Sequence, residues 1–258
     1  MQWIDTHAHL QDKQFAGEVE EVLSQAVREG VTKIIVPACN ELDMLEVYDL
    51  CATYPEQCYP AIGLHPGELG ENPQRQLEVI LRLVDGRGEI AIGEIGLDAY
   101  HYADSLAWQI PVFEQQLEWA LYYDLPVLIH ARETIDLILE TLERGKFRAV
   151  RGVLHAFEGS VEQLHRAMRN DNLMVGIGGL ATFKNGLKEE VLQALDLTRS
   201  VLETDSPYLT PTPYRGKRNA PYYIPLVGER LAAVRGEAVE RIASLTSEAA
   251  RQLFPRLG

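Results

Sequence analysis

Residues 3–10 read WIDTHAHL, a short apolar run that ends in His-x-His. On an extended backbone, residues two apart point to the same face. His7 and His9 therefore project side by side, about 6–7 Å apart at the backbone, which suits two imidazoles on one metal ion. The same arrangement recurs along the chain: YPAIGLHP carries His65 near its end, PVLIHAR carries His130 and GVLHAF carries His155. Two more runs lead into acids, Glu94 in EIAIGEIGLD and Asp205 in SVLETDSP. Chemistry-bearing residues at the ends of successive strands imply a fold in which those ends converge.

Short apolar or β-branched runs near Trp3 to Thr6, Lys33 to Pro37, Tyr59 to Gly63, Ile90 to Gly93, Pro126 to Ile129, Gly152 to Leu154, Leu173 to Ile177 and Ser200 to Glu203 are the strand candidates. Helical patterns lie between them. Val19, Val22, Leu23, Ala26 and Val27 form a stripe ended by Gly30; Phe113, Leu117 and Ala120 share a face, as do Ile135, Ile138, Leu139 and Leu142. Parallel neighbours need crossovers, and here the crossovers are helical, so the α/β class and a (β/α)8 TIM-type barrel follow. The alternative is an open doubly wound sheet. It lacks support because no G-x-G-x-x-G opens the first βα turn and the polar residues are spread over six strand ends. Residues from Pro221 onward, including Leu226 to Val234 and Val239 to Phe254, supply a last helical layer that closes and supports the barrel.

The 258 residues fit one barrel domain, residues 1–258, with no low-complexity tract or Ser/Gly-rich linker to divide it. Hydrophobic residues at 46% and charged residues at 24% describe an ordinary globular chain. A net charge of -14 argues against broad electrostatic adhesion to nucleic acid or anionic membranes, although bound cations or a local basic patch reverse the sign where it matters. No apolar run approaches a membrane span, and the N-terminus does not read as a signal peptide. Cys39, Cys51 and Cys58 contain no C-x-x-C pair and fit free thiols in a reducing compartment, so a cytoplasmic location is expected. Nothing calls for an obligatory protein partner.

Singly, each strand-end histidine or acid has an ordinary explanation as a hydrogen-bonded residue or a helix cap. Together, gathered at one barrel mouth, four imidazoles (His7, His9, His130, His155) and two carboxylates (Glu94, Asp205) suffice for two divalent ions. They suit Zn2+ or Mn2+ better than Ca2+, and Mg2+ remains compatible.

Beyond these residues the chain resembles the TatD-type metal-dependent deoxyribonucleases, amidohydrolase-like metal hydrolases built on (β/α)8 barrels. The matching motifs are DTHAHL (5–10), GLHP (63–66), GEIGLD (93–98), the Gln109, Phe113, Gln116, Leu117 spacing, PVLIHAR (126–132), HAFEG (155–159), GGLATFKN (178–185), ETDSPYLTP (203–211) and RGKRNAP (215–221). They run in order over nearly the whole chain. The resemblance implies that His7, His9 and Asp205 bind one metal and His130 and His155 a second, with Glu94 bridging. It also implies that His65 contacts a substrate phosphate. Three stretches depart from the family pattern: Gly67 in the H-P-H/E stretch, Ala156 and Glu158 in the H-C-F-S-G stretch, and Ala249 where an asparagine often precedes Leu-Phe.

A two-metal centre of this kind activates water and clamps a phosphoryl group, with Asp205 and Glu94 as catalytic candidates and Asp205 as general base. His65 and Arg132 are candidate phosphate donors; Arg132 has the competing reading of an exposed helix-start residue paired with Glu133 or Asp136. Arg215, Lys217 and Arg218 follow the eighth strand and are expected at the mouth. Tyr208, Tyr214, Tyr222 and Tyr223 flank them as stacking surfaces, with a solvated basic loop as the ordinary reading. His165 reads as an exposed or half-buried helix residue, and His101 as a loop residue, with a place behind the site's ligands as the alternative. The expected function is deoxyribonuclease (exonuclease) action on DNA or another phosphodiester. The alternatives are hydrolysis of an ester or amide in a small metabolite or aminoacyl-nucleic acid, and a non-catalytic metal-binding barrel.

Overall fold

A computed structural model describes residues 1–84 and 88–258. Among them the strands are β1 Trp3–Asp5, β2 Val31–Pro37, β3 Cys58–Ile62, β4 Ala91–Asp98, β5 Val127–Arg132, β6 Gly152–Leu154, β7 Leu173–Ile177 and β8 Ser200–Leu202. The helices are α1 Val19–Arg28, α2 Glu41–Thr53, α3 Pro73–Leu83, α4 Leu106–Tyr123, α5 Ile135–Leu142, α6 Val161–Met168, α7 Glu189–Ala194, α8 Ile224–Arg235 and α9 Val239–Leu253. The strands pair in parallel in sequence order. The last joins the first through backbone bonds: Thr6 N to Leu202 O at 3.1 Å, Asp205 N to His7 O at 2.8 Å and His9 N to Ser206 O at 2.8 Å. The expected (β/α)8 barrel is what forms.

Period-two alternation sorts the core into two layers. Ile4, Ile35, Ala61, Ala91, Leu128, Val153, Met174 and Val201, one from each strand, meet inside the barrel. Ala249, Ala250, Leu253, Phe254 and Leu257 from α9 and the turn after it join them and close the end where the strands begin. Ala249 is 1% exposed there, so a methyl group fits where a polar amide would need a partner. The opposite faces of the strands pack against the helices. The buried residues of α1 are Val22, Leu23 and Ala26; Val27, expected on that face, is 44% exposed because α1 ends one residue later and no further turn covers it.

Two features position the mouth. The strand expected to stop at Gly93 continues to Asp98 as β4, with a register irregularity between Ile92 and Ile95, so Glu94 sits inside the strand at a bulge rather than at its end. Gly96 then brings β4 against β5: its φ is +147°, and a Cβ there would lie 2.0 Å from the His130 carbonyl oxygen. On α4, Gln109 and Gln116 clamp the backbone of neighbouring strand ends. The Leu64 N–H donates to Gln116 Oε1 at 2.7 Å and Gln116 Nε2 donates to Leu64 O at 3.1 Å. Gln109 does the same at Asp98, at 2.8 and 3.0 Å. Among the described residues no helix is long and apolar enough to cross a membrane.

Candidate metal centre

The strands' C-terminal ends surround a cleft of about 530 Å³ whose floor carries His9, Glu94, His130, His155 and Asp205. Glu94, 3% exposed, lies at its middle. Its Oε2 is 3.2 Å from His7 Nε2 and 3.5 Å from His9 Nε2. Its Oε1 is 3.0 Å from His130 Nδ1, 2.9 Å from His155 Nε2 and 3.6 Å from His65 Nε2. Asp205 Oδ1 is 3.7 Å from His7 Nε2 and 3.5 Å from His9 Nε2. All seven sequence-derived residues on the strand ends thus meet, although His65, His130 and Asp205 remain partly accessible.

This donor set fits divalent cations. His7 Nε2 and His9 Nε2 approach to 3.2 Å and both face the same two carboxylates, more acceptors than one N–H each can serve. Donor atoms within 4.8 Å of one another occur as His7, His9 and Glu94; as His7, His155 and Asp205; and as His65, Glu94 and His130. The charge balance points the same way. Burial opposes ionisation of Glu94, yet His155, His7, His65 and the hydrogen bond from His130 hold it well below the usual carboxylate range. Burial likewise opposes, and His9, His155 and His7 outweigh, in keeping Asp205 low. Burial and the nearby His155 lower His7, and burial lowers His65 to about 3 despite Glu94. His9 and His155 are raised well above the imidazole norm: burial opposes, while Cys39, Asp205 and Glu94 act on the first and Glu94 and Glu203 on the second. The cluster therefore calls for positive charge, which divalent ions supply with the imidazoles neutral.

Several further residues orient these side chains. Asp98 Oδ2 lies 3.2 Å from His130 Nε2 and 3.0 Å from His101 Nδ1, turning His130 Nδ1 toward Glu94. His101, read as a loop residue with a supporting place behind the site as the alternative, is tied to the site through this acid, as that alternative had it. Glu203 Oε1 is 3.6 Å from His155 Nδ1 and accepts the Ala156 N–H. Asp5 accepts the His7 N–H at 3.2 Å, the Thr204 N–H at 2.9 Å and the Thr204 hydroxyl at 2.6 Å, so it aligns the ends of β1 and β8. Asn219 holds the same turn by donating to Thr204 O and Tyr208 O at 2.8 and 2.6 Å. Asp98 and Glu203 do lie inside motifs of the sequence, GEIGLD and ETDSP, and only their direction was illegible.

The outer residues divide. Arg132 lines the cleft, but its partner is Glu158, and neither Glu133 nor Asp136 engages it: Asp136 bonds to Gln163 and Arg166. Among the described residues lining the cleft, none of Arg215, Lys217 and Arg218 occurs. The Arg215 guanidinium lies 3.7 Å from the Phe183 ring centre and donates to Thr210 O; Lys217 lies over Tyr214. Arg218 pairs with Glu18 at 2.6 Å and stacks on Phe15. Each is drawn back onto the barrel by a neighbouring ring or acid. Tyr214 and Tyr223 stack on each other at 4.8 Å with Tyr222 edge-on, whereas Tyr208 reaches the cleft and donates to Asp12 Oδ2 at 3.0 Å. His165 is exposed on α6.

A family model described as TatD related DNase matches residues 4–255. The "uncharacterized metal-dependent hydrolase YabD" of Bacillus subtilis is 37% identical, over 97% of this chain and 98% of its own. A protein of Pantoea ananatis named "3'-5' ssDNA/RNA exonuclease TatD" is 32% identical, over 97% and 98%. The crystal structure of YjjV, a TatD homolog from Escherichia coli K12, superposes with a TM-score of 0.89 at 33% identity, covering 98% of both chains.

Proposed function

The chain belongs to the TatD related DNase family of metal-dependent hydrolases, and from that premise we propose that it is a two-metal exonuclease acting on single-stranded nucleic acid. The observation that carries the reading is the division of Glu94: one oxygen faces His7 and His9, the other His65, His130 and His155. His7, His9 and Asp205 would hold one ion and His130 and His155 a second, with Glu94 reaching both; Zn2+, Mn2+ and Mg2+ each suit the set. When bound, such ions supply water activation and stabilisation of charge on a phosphoryl group.

The chain's own residues do the rest. Asp205 is held by its neighbours in the left-handed region, at φ +55°, and is ionised, so it accepts the proton of the attacking water. His65 Nδ1 accepts the Gly67 N–H at 3.0 Å, so the proton of this neutral imidazole sits on Nε2, facing the cleft as a donor to a phosphoryl oxygen. Arg132 offers a second donor beside it. Arg215, Lys217 and Arg218, outside the cleft, would meet only a longer strand. The name of the Pantoea relative supports DNA or RNA attacked from the 3' end. Three free thiols fit a reducing, cytoplasmic setting.

A second reading, hydrolysis of an ester or amide in a small metabolite or an aminoacyl-nucleic acid, is favoured by one contact: Glu158 neutralises Arg132. The test is cleavage of end-labelled single-stranded DNA by chelator-stripped protein with Mg2+, Mn2+ or Zn2+ restored, against Asp205→Asn. Metal-dependent shortening absent from the variant supports the nuclease. Intact DNA with every ion moves the assignment to the second reading.

A further inference from the structure

The loop after β4 carries Tyr100, His101 and Tyr102; of the departures from the family motifs, Gly67 lies directly against it and Glu158 reaches it through Arg132. At Gly67, a Cβ would fall 2.7 Å from Tyr102 Cε2 and 3.0 Å from its hydroxyl oxygen. Gly67 is not among the residues with positive φ, so its backbone does not require glycine, and its near neighbour is the outer end of the Tyr102 ring. At the other departure, Glu158 pairs with Arg132, whose guanidinium lies 5.1 Å from the centre of the Tyr100 ring. The missing side chain lets the Tyr102 ring lie close to Gly67, and Arg132, paired with Glu158, stands near the Tyr100 ring.

Both rings stay open to solvent, Tyr100 at 58% and Tyr102 at 43% exposure, and Tyr102 lines the same cleft as Glu94 and Asp205. The loop is also fixed relative to the metal ligands. Asp98 accepts the N–H groups of Tyr100 and His101 at 2.9 and 2.7 Å and, through its other oxygen, faces His130. Exposed rings on a loop anchored beside the cleft offer flat apolar faces to an occupant. Among the described residues lining the cleft none of Arg215, Lys217 and Arg218 occurs, and the chain is strongly acidic. Binding must then draw on stacking, which every base offers irrespective of sequence.

We propose that Tyr102, which lines the cleft, and Tyr100, on the same loop, form a platform on which the terminal bases of a single strand stack next to the bond being cut. This rests on the nuclease reading above. It predicts a preference for unpaired ends, weak salt dependence and little choice of base.

The experiment compares a short single-stranded oligothymidylate with the same strand made abasic at its terminal positions, for the wild type, Tyr102→Ala, Tyr100→Ala and Tyr102→Phe. KM is read with the restored metal, and binding is read by fluorescence anisotropy in chelator. Removing the terminal bases raises KM and Kd of the wild type about tenfold; Tyr102→Ala brings that ratio close to one, Tyr100→Ala reduces it, and Tyr102→Phe keeps it. A wild-type ratio of one, or an unchanged ratio in Tyr102→Ala, overturns the platform while cleavage leaves the nuclease reading standing. Base-dependent binding that Tyr102→Ala loses, without cleavage by any ion, upholds the platform and removes the nuclease. Neither binding nor cleavage removes both. The two tyrosines are exposed, so the variants fold, and thermal midpoints check it.

Discussion

Replacing Asp98 by asparagine tests how the metal ligands are oriented. The Asp98 carboxylate accepts two backbone N–H groups on Oδ1 and faces His130 Nε2 and His101 Nδ1 with Oδ2. An amide keeps the first oxygen but turns an NH2 donor toward His130. The imidazole must then place its proton on Nδ1 so that Nε2 can accept, and Nδ1 is the nitrogen 3.0 Å from Glu94. The lone pair that faces the cluster is lost. Outer partners of this type are worth about 10–100-fold in metal affinity, or about 1.4–2.8 kcal/mol at a tenfold change per 1.4 kcal/mol. Zinc titration against a chromophoric chelator resolves the effect. The step assigned to His130 and His155 weakens by that factor, and the step assigned to His7, His9 and Asp205 holds. Unchanged affinity in both steps, in a variant with native circular dichroism, would refute the argument.

Further outcomes follow from the same geometry. Glu94→Gln removes the charge that faces five imidazoles; it weakens metal loading and lowers kcat by at least about a hundredfold with the fold retained, and normal turnover would sink the two-metal reading. Phe254→Ala empties part of the cluster that closes the barrel floor, costing about 3–5 kcal/mol. At about 2–4 °C per kcal/mol for a chain of this size, calorimetry should show a midpoint at least about 6 °C lower, with zinc affinity unchanged. Saturating metal at about 100 times its Kd stabilises the native state by about 2.7 kcal/mol, so a chelator lowers the thermal midpoint; an identical midpoint with and without it would argue against ions held by the folded site.

Much of this was legible because the signals are local. The spacing in WIDTHAHL, the β-branched runs and the stripes of α1, α4 and α5 are consequences of backbone periodicity, which a sequence displays directly. The Gln109 and Gln116 spacing belonged to the family motif, yet its purpose, clamping Leu64 and Asp98, needs a partner strand far away in the chain. The extent of β4 was misjudged because its Gly-rich second half looks unlike a strand. Val27 was misplaced because helical phase does not say where covering elements stop.

The sequence by itself determined the eight βα units, the barrel they close and the histidines and acids collected at its mouth, since alternation, helix period and strand-end placement are written residue by residue. Only the tertiary structure decided which way the polar side chains turn. Asp98 and Glu203 orient His130 and His155, Arg132 faces Glu158, and Gly67 makes room for Tyr102. It also folded Arg215 and Arg218 back onto Phe183 and Glu18, away from the cleft where their position in the chain had put them. The physical reason is that a loop's direction follows from the charges and rings it meets across the fold, and those partners are adjacent in space without being adjacent in sequence.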